Sequence, residues 1–126
     1  MNNSTNSLNW FEIPAKNILR SKKFYESIFS IEMPVHEMFN TKMAFFPMES
    51  NSGKVTGALA ESKDHVPGKT GTMVYLNANP NMDSVLEKVE KAGGNIVLSK
   101  TDIGENGFMA FIEDSEGNRV GIHSME

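Results

Sequence analysis

The sequence predicts an α+β domain built from two βαβββ modules. Three observations predict it. The stretch Gly53-Lys54-Val55-Thr56-Gly57-Ala58-Leu59 and the later Gly117-Asn118-Arg119-Val120-Gly121-Ile122-His123 share one punctuation: a Gly, a polar residue, then a strand with Gly in the fifth position. Each half carries a single apolar stripe at helical spacing. Around each stripe, short apolar or alternating runs are separated by turn residues. The same element order met twice in one chain marks an internal duplication.

Residues 1–7 are Asn/Ser-rich and read as a disordered tail, leaving 8–126 as the domain, with modules at 8–60 and 72–124. Asn9 to Ala15 is a strand: Phe11, Ile13 and Ala15 fall on one face, Trp10, Glu12 and Pro14 on the other. Asn17 is a suitable N-cap for a helix whose stripe is Ile18, Ser21, Phe24, Tyr25, Ile28 and Phe29. Met33–Met38, Met43–Met48 and Val55–Ala60 supply three further strands. The polar stretch Glu61–Gly71 connects the halves. Thr72–Asn77 is the next strand, and Asn79-Pro80-Asn81 opens a second helix with Met82, Val85, Leu86 and Val89 as its stripe. Gly93-Gly94 ends it. Asn95–Ser99, Phe108–Glu113 and Arg119–His123 complete the second module, with a loop at Ile103–Gly107.

The composition narrows the functional classes. Hydrophobic residues make up 39% of the 126 and charged residues 22%, as in an ordinary globular protein. The net charge is −4 with no basic block, which disfavours nucleic acid and anionic membranes as partners. Cysteine is absent, so thiol nucleophiles, disulfides and Cys-bound zinc are excluded; a cytoplasmic protein is the expectation. No apolar run approaches a membrane span, and residues 1–7 lack the basic start and apolar core of a signal peptide. Nine Met and eight Phe point to a core or pocket filled by soft and aromatic side chains. There is no P-loop, dinucleotide fingerprint or nucleophile elbow.

NWFEIPAKNILRSKKFYESIF, the AFFP strand, the KAGG helix end and FIEDSEGNRVGIHS together resemble the vicinal oxygen chelate superfamily, the glyoxalase/bleomycin-resistance/dioxygenase fold. The match runs from Leu8 to Ser124 and is nearest the bacterial glyoxalase-like, lactoylglutathione lyase-related subgroup. Ser115 stands where that family's turn commonly has Pro. The resemblance implies that the two modules shape a cup for a small molecule, and that the protein is a homodimer.

The resemblance also implies four metal-ligand positions, which fall here on Trp10, Gly57, Thr72 and Gly121. None is a His or a carboxylate, so no metal and no other cofactor is expected. These four are the candidate ligand-binding residues. A strand keeps its face over a two-residue step, so Glu12 and His123 are expected to point into the same cup as Trp10 and Gly121. Two functional roles are open to them: a carboxylate–imidazole pair acting as general base or acid, or two ligands of a relocated metal site. The plainer alternative is a paired Glu and a wall His. His36 and His65 read as surface residues. The expected function is binding of a small molecule, with a metal-independent lyase or isomerase reaction at Glu12 and His123; the alternative is a non-catalytic, drug-sequestering protein of the bleomycin-resistance type.

Overall fold

The computed structural model describes residues 1–126 and gives the order β1 (Trp10–Pro14), α1 (Ile18–Phe29), β2 (Val35–Met38), β3 (Thr41–Phe45), β4 (Thr56–Glu61), β5 (Tyr75–Asn77), α2 (Asp83–Val89), β6 (Asn95–Asp102), β7 (Phe108–Glu113) and β8 (Arg119–Ser124). Two four-stranded sheets follow the orders β1-β4-β3-β2 and β5-β8-β7-β6. In each, the first and last strands of the module pair in parallel and the other pairs are antiparallel. The element order is that of two βαβββ modules, as the sequence predicts.

Each helix lies on one face of its own sheet, and the two helices touch. The stripe of α1 is buried as expected, at Ile18, Ser21, Phe24, Tyr25 and Ile28. Ile18, Phe24, Tyr25 and Ile28 join Ile13, Leu59, Leu76, Val85, Val89, Ile112 and Ile122 in one continuous core. Asn17 caps α1, its side chain accepting the Arg20 N–H. Just before α2, the Asn81 side chain accepts the N–H of Asp83, two residues ahead, while the N-cap position itself, Met82, has no side-chain cap. The segment expected as a bare loop before β7 contains one short 3-10 turn, Gly104–Asn106.

The halves are tied by the turn that follows β7. Asp114 is 4% exposed, and its carboxylate accepts the buried Tyr25 hydroxyl at 2.7 Å, the Asn118 side-chain amide at 2.9 Å and two backbone N–H groups. Asn118 reaches on to the carbonyl of Pro14 in β1. Glu116 accepts the N–H groups of Lys16 and Asn17 and a two-pronged contact from Arg20. A carboxylate at a helix N-terminus satisfies orphan amides and complements the helix dipole. The DSEGN turn of the second module is thus the N-terminal clamp of the first module's helix.

Parallel pairing also fixes which residues of the two modules correspond. The Ala15 N–H donates to the Ala60 carbonyl, and the Ala78 N–H donates to that of His123. Ala15 therefore matches Ala78 and Ala60 matches His123. Counting back, Gly121 matches Ala58 rather than Gly57, and Trp10 matches Met73 rather than Thr72. The shared glycine punctuation therefore sets Gly57 against Gly121 one residue out, and the position that the resemblance implies at Thr72 falls one residue later, at Met73.

Candidate functional site

The concave face of the first sheet, turned away from the helices, carries the site. In β1, Ile13 and Ala15 are buried under α1, so strand alternation sends Trp10, Glu12 and Pro14 to the other side. Their Cα partners Thr56, Ala58 and Ala60 share that face. So do Phe45 and Met43, which pair with Ala58 and Ala60, and His36 and Met38 on β2. The small residues of β4 make a floor; the large ones stand round it. Trp10 and Phe45 lie 5.9 Å apart between ring centroids, and His36 meets Phe45 edge-on at 5.3 Å. A cleft of about 340 Å³ results, lined by Trp10, Glu12, Met38, Phe39, Thr41, Met43, Phe45 and His65.

Phe39 is the unusual wall. It sits with Asn40 at the tip of the β2–β3 hairpin, and both have positive φ, 50° and 59°. Such a two-residue turn ordinarily takes Asn-Gly. A bulky aromatic in the left-handed region costs about 1–2 kcal/mol. Phe39 is also 95% exposed, so no burial in this chain offsets that cost.

Glu12 is the polar end of the cleft. One carboxylate oxygen accepts the Trp10 indole N–H at 3.1 Å and the other meets His65 Nε2 at 2.7 Å. The His65 hydrogen bond is the main reason its carboxyl is held below the usual 4.5; partial burial opposes this and Trp10 adds to it. His65 comes from the Glu61–Gly71 connector, folded back by a turn in which its N–H donates to the Ser62 carbonyl. Its other ring nitrogen, Nδ1, lies 2.6 Å from Ser62 Oγ. With Glu12 ionised, the consistent assignment is an Nε2–H donated to Glu12 and an Nδ1 lone pair accepting the Ser62 hydroxyl.

The expected Glu12–His123 pair is not formed. His123 lies on β8 beside Asn77 and Met109, and its Nε2–H donates to the Asn106 carbonyl at 2.6 Å. The imidazole that meets Glu12 is His65, expected to be a surface residue and in fact half-buried.

Trp10 stands in the cleft as expected, and Gly57 does not. A Cβ on Gly57 would come 2.2 Å from the Phe11 carbonyl oxygen and 2.6 Å from the Phe11 ring, so Gly57 relieves packing on the helix side. Gly121 lies on the concave face of the second sheet beneath Tyr75, whose ring would be 2.6 Å from an added Cβ. Tyr75 in turn leans on Phe111 at 6.1 Å. Thr72 precedes β5 and lines a separate crevice at the junction of the sheets, with Glu12, Val74 and Arg119.

The metal implied by the resemblance does not fit this chain. With the register corrected, its four positions are Trp10, Ala58, Met73 and Gly121, which offer no imidazole or carboxylate. No three His, Asp or Glu residues stand together as ligands elsewhere.

His65 and Phe39 escaped the sequence reading for physical reasons. His65 sits in an aperiodic polar connector, where only the fold decides the partner. The Phe39 turn lacks the glycine that marks such turns; an aromatic beside Asn between two strand patterns was the available signal.

Comparison with known proteins agrees with the architecture. Residues 7–122 match the model of the Glyoxalase/Bleomycin resistance protein/Dioxygenase superfamily. The protein named "Putative glyoxylase CFP32" in Mycobacterium bovis is 28% identical over 115 residues, 90% of this chain and 44% of its own length. The chain thus spans less than half of the curated relatives it matches. Among solved structures, a glyoxalase/bleomycin resistance protein from Albidiferax ferrireducens superposes with a TM-score of 0.65 at 14% identity, covering 94% of this chain and 98% of that one. The trypanothione-dependent glyoxalase I of Leishmania major gives 0.67 at 16%, covering 96% and 88%. At these identities the structures speak for the fold alone. The sequence match over nearly the whole chain shows that it belongs to the glyoxalase/bleomycin resistance protein/dioxygenase superfamily.

Proposed function

We propose that this chain binds a small, flat, largely apolar molecule in the cleft of the first sheet, with the Glu12–His65 pair engaging a hydrogen-bond donor or cationic group on it. The observation that carries this reading is the lining: five aromatic and Met side chains, Trp10, Met38, Phe39, Met43 and Phe45, with one carboxylate, Glu12, held ionised among them. Such a composition supplies contact area from the rings and orientation from the charge. Absence of metal donors at the family positions supports binding and sequestration over a metal-assisted reaction. A second reading, metal-independent lyase or isomerase chemistry, is favoured by one feature: Glu12 faces the cleft as a carboxylate and is a base in reach of a bound ligand. It no longer involves His123.

A homodimer completes the cup in this proposal. Trp10, Met38, Phe39 and Tyr75 leave a large aromatic and Met surface uncovered on the two concave faces, and a second copy's second sheet would cover the first. A thermal-shift screen of small aromatic compounds tests the function, since a ligand of the folded state raises its apparent stability. Hits weakened by Phe45→Ala or Glu12→Gln support the cleft. Hits indifferent to both substitutions contradict it.

A further inference from the structure

A second cavity lies on the far side of His65. It measures about 430 Å³, and its lining includes Lys16, Glu37, Lys42, Glu61, Ser62 and Lys63. His65 is the one residue it shares with the aromatic cleft. From this side the hydrogen bonds run in series: Ser62 Oγ to His65 Nδ1 at 2.6 Å, then His65 Nε2 to Glu12 at 2.7 Å. We propose that Ser62, His65 and Glu12 form a nucleophilic relay opening on this cavity, and that it hydrolyses small esters carrying an anionic group.

The wiring has the features such a relay requires. Glu12 fixes the imidazole tautomer so that Nδ1 presents its lone pair to the Ser62 hydroxyl. The Asp64 N–H donates to Ser62 Oγ at 3.1 Å, which leaves the hydroxyl proton to point at the imidazole. The use of Nδ1 toward serine and Nε2 toward the carboxylate does not alter the proton's path. Lys63 follows the nucleophile, lines the cavity, and has a backbone N–H that donates to no acceptor in the chain. That amide is placed in sequence as an oxyanion donor is beside other serine nucleophiles. The lysines define the substrate. Three lysines, Lys16, Lys42 and Lys63, face two carboxylates, Glu37 and Glu61, across the lining, a net positive charge of one; Lys42 lies 3.9 Å from Glu61, and Lys16 and Lys63 have no carboxylate partner and are free to meet an anion.

The chemistry balances without a cofactor. Ser62 Oγ bonds to the acyl carbon as its proton passes to Nδ1. The ester C–O bond breaks and the leaving oxygen takes that proton. Water then attacks the acyl-serine, Nδ1 accepts its proton and returns it to Oγ, and the acid departs. Ser62 and His65 are the catalytic residues; Glu12 is a positioning residue.

This inference uses the Glu12–His65 contact also found in the cleft but does not need the cleft to bind anything. The test treats the folded protein with a fluorophosphonate and with 4-nitrophenyl succinate monoester, then maps the adducts by peptide mass. The expected result is one phosphonyl or succinyl group on Ser62, a turnover lowered about 100-fold by His65→Gln, and a preference for the succinyl over the acetyl ester. Glu12→Gln should lower kcat with KM nearly unchanged, and Glu12→Asp should restore part of it. Labelling confined to lysines, or no adduct at all, overturns the proposal without reference to any variant's folding. Failure here with intact small-molecule binding in the cleft removes only the relay; binding lost with Ser62 acylated removes only the cleft reading.

Discussion

The Nε2 of His65 lies 2.7 Å from Oε1 of Glu12, two residues separated by 53 positions in sequence. This contact folds the connector between the modules over the first sheet and turns the inward carboxylate into the charged end of an aromatic cleft. Both side chains are partly exposed, 23% and 35%, so this solvent-screened hydrogen bond contributes at most about 1 kcal/mol to stability. Glu12→Gln should therefore shift the urea midpoint little. Ligand affinity should fall about tenfold, the equivalent of one charge-assisted hydrogen bond. Isothermal titration of a screening hit checks this, and His123→Gln serves as the contrast, with affinity unchanged.

The acid limb of stability should follow three carboxylates held below 4.5. For Glu12 the hydrogen bond from His65 dominates. For Glu26 and Glu116 burial pushes upward, but hydrogen bonds outweigh it, from Lys22 and the Met33 N–H in one case and from Arg20, the Asn17 N–H and Ser115 in the other. A depressed folded value means stability that is present above 4.5 and is lost as pH falls through the lower folded value. Urea midpoints measured downward from pH 7 should be flat to near 4.5 and then drop. Glu116→Gln should lower the midpoint at pH 7 and make the acid drop shallower.

Tyr25→Phe removes one of the donors to the buried Asp114 carboxylate. An underbonded buried acceptor costs about 1–3 kcal/mol. The loss should appear in denaturant unfolding as one cooperative transition at lower midpoint, because Asp114 belongs to the turn that joins the two modules.

Phe39→Gly separates function from stability. Glycine adopts the left-handed turn without strain, so the substitution should stabilise the hairpin, by up to about 1 kcal/mol, while removing a wall of the cleft and weakening ligand. A rise in Tm together with a fall in affinity is the expected pair. A fall in Tm would assign Phe39 a structural role instead.

The glycines behave differently in the same way. Gly57→Ala drives a Cβ into the Phe11 backbone carbonyl, which cannot yield, and should cost about 1–3 kcal/mol. Gly121→Ala meets only the half-exposed Tyr75 ring, which can swing aside, and should cost less. Parallel thermal melts of the two variants make the comparison.

These contrasts show what the sequence carries. The α1 stripe from Ile18 to Ile28, the Asn17 cap and the alternation of β1 are local, period-based signals, and they placed the elements and sent Glu12 to the concave face. Module correspondence needed one-residue accuracy, which Gly57 and Gly121 could not supply because their glycines serve opposite faces. The partner of Glu12 is set by how an aperiodic connector lies across a sheet. No spacing rule encodes that, so the pattern points to His123, on a periodic strand, and not to His65.

Trp10 is the only tryptophan of the chain and stands in the cleft wall, 37% exposed and bonded to Glu12. Its emission therefore reports directly on the cleft. The decisive measurement is fluorescence titration with the compounds that most raise Tm in the thermal-shift screen. A saturable change in Trp10 emission, with an affinity that predicts the thermal shift, is the expected result. Compounds that stabilise the fold at saturation yet leave Trp10 emission unchanged would place the ligand elsewhere and contradict the cleft as the functional site.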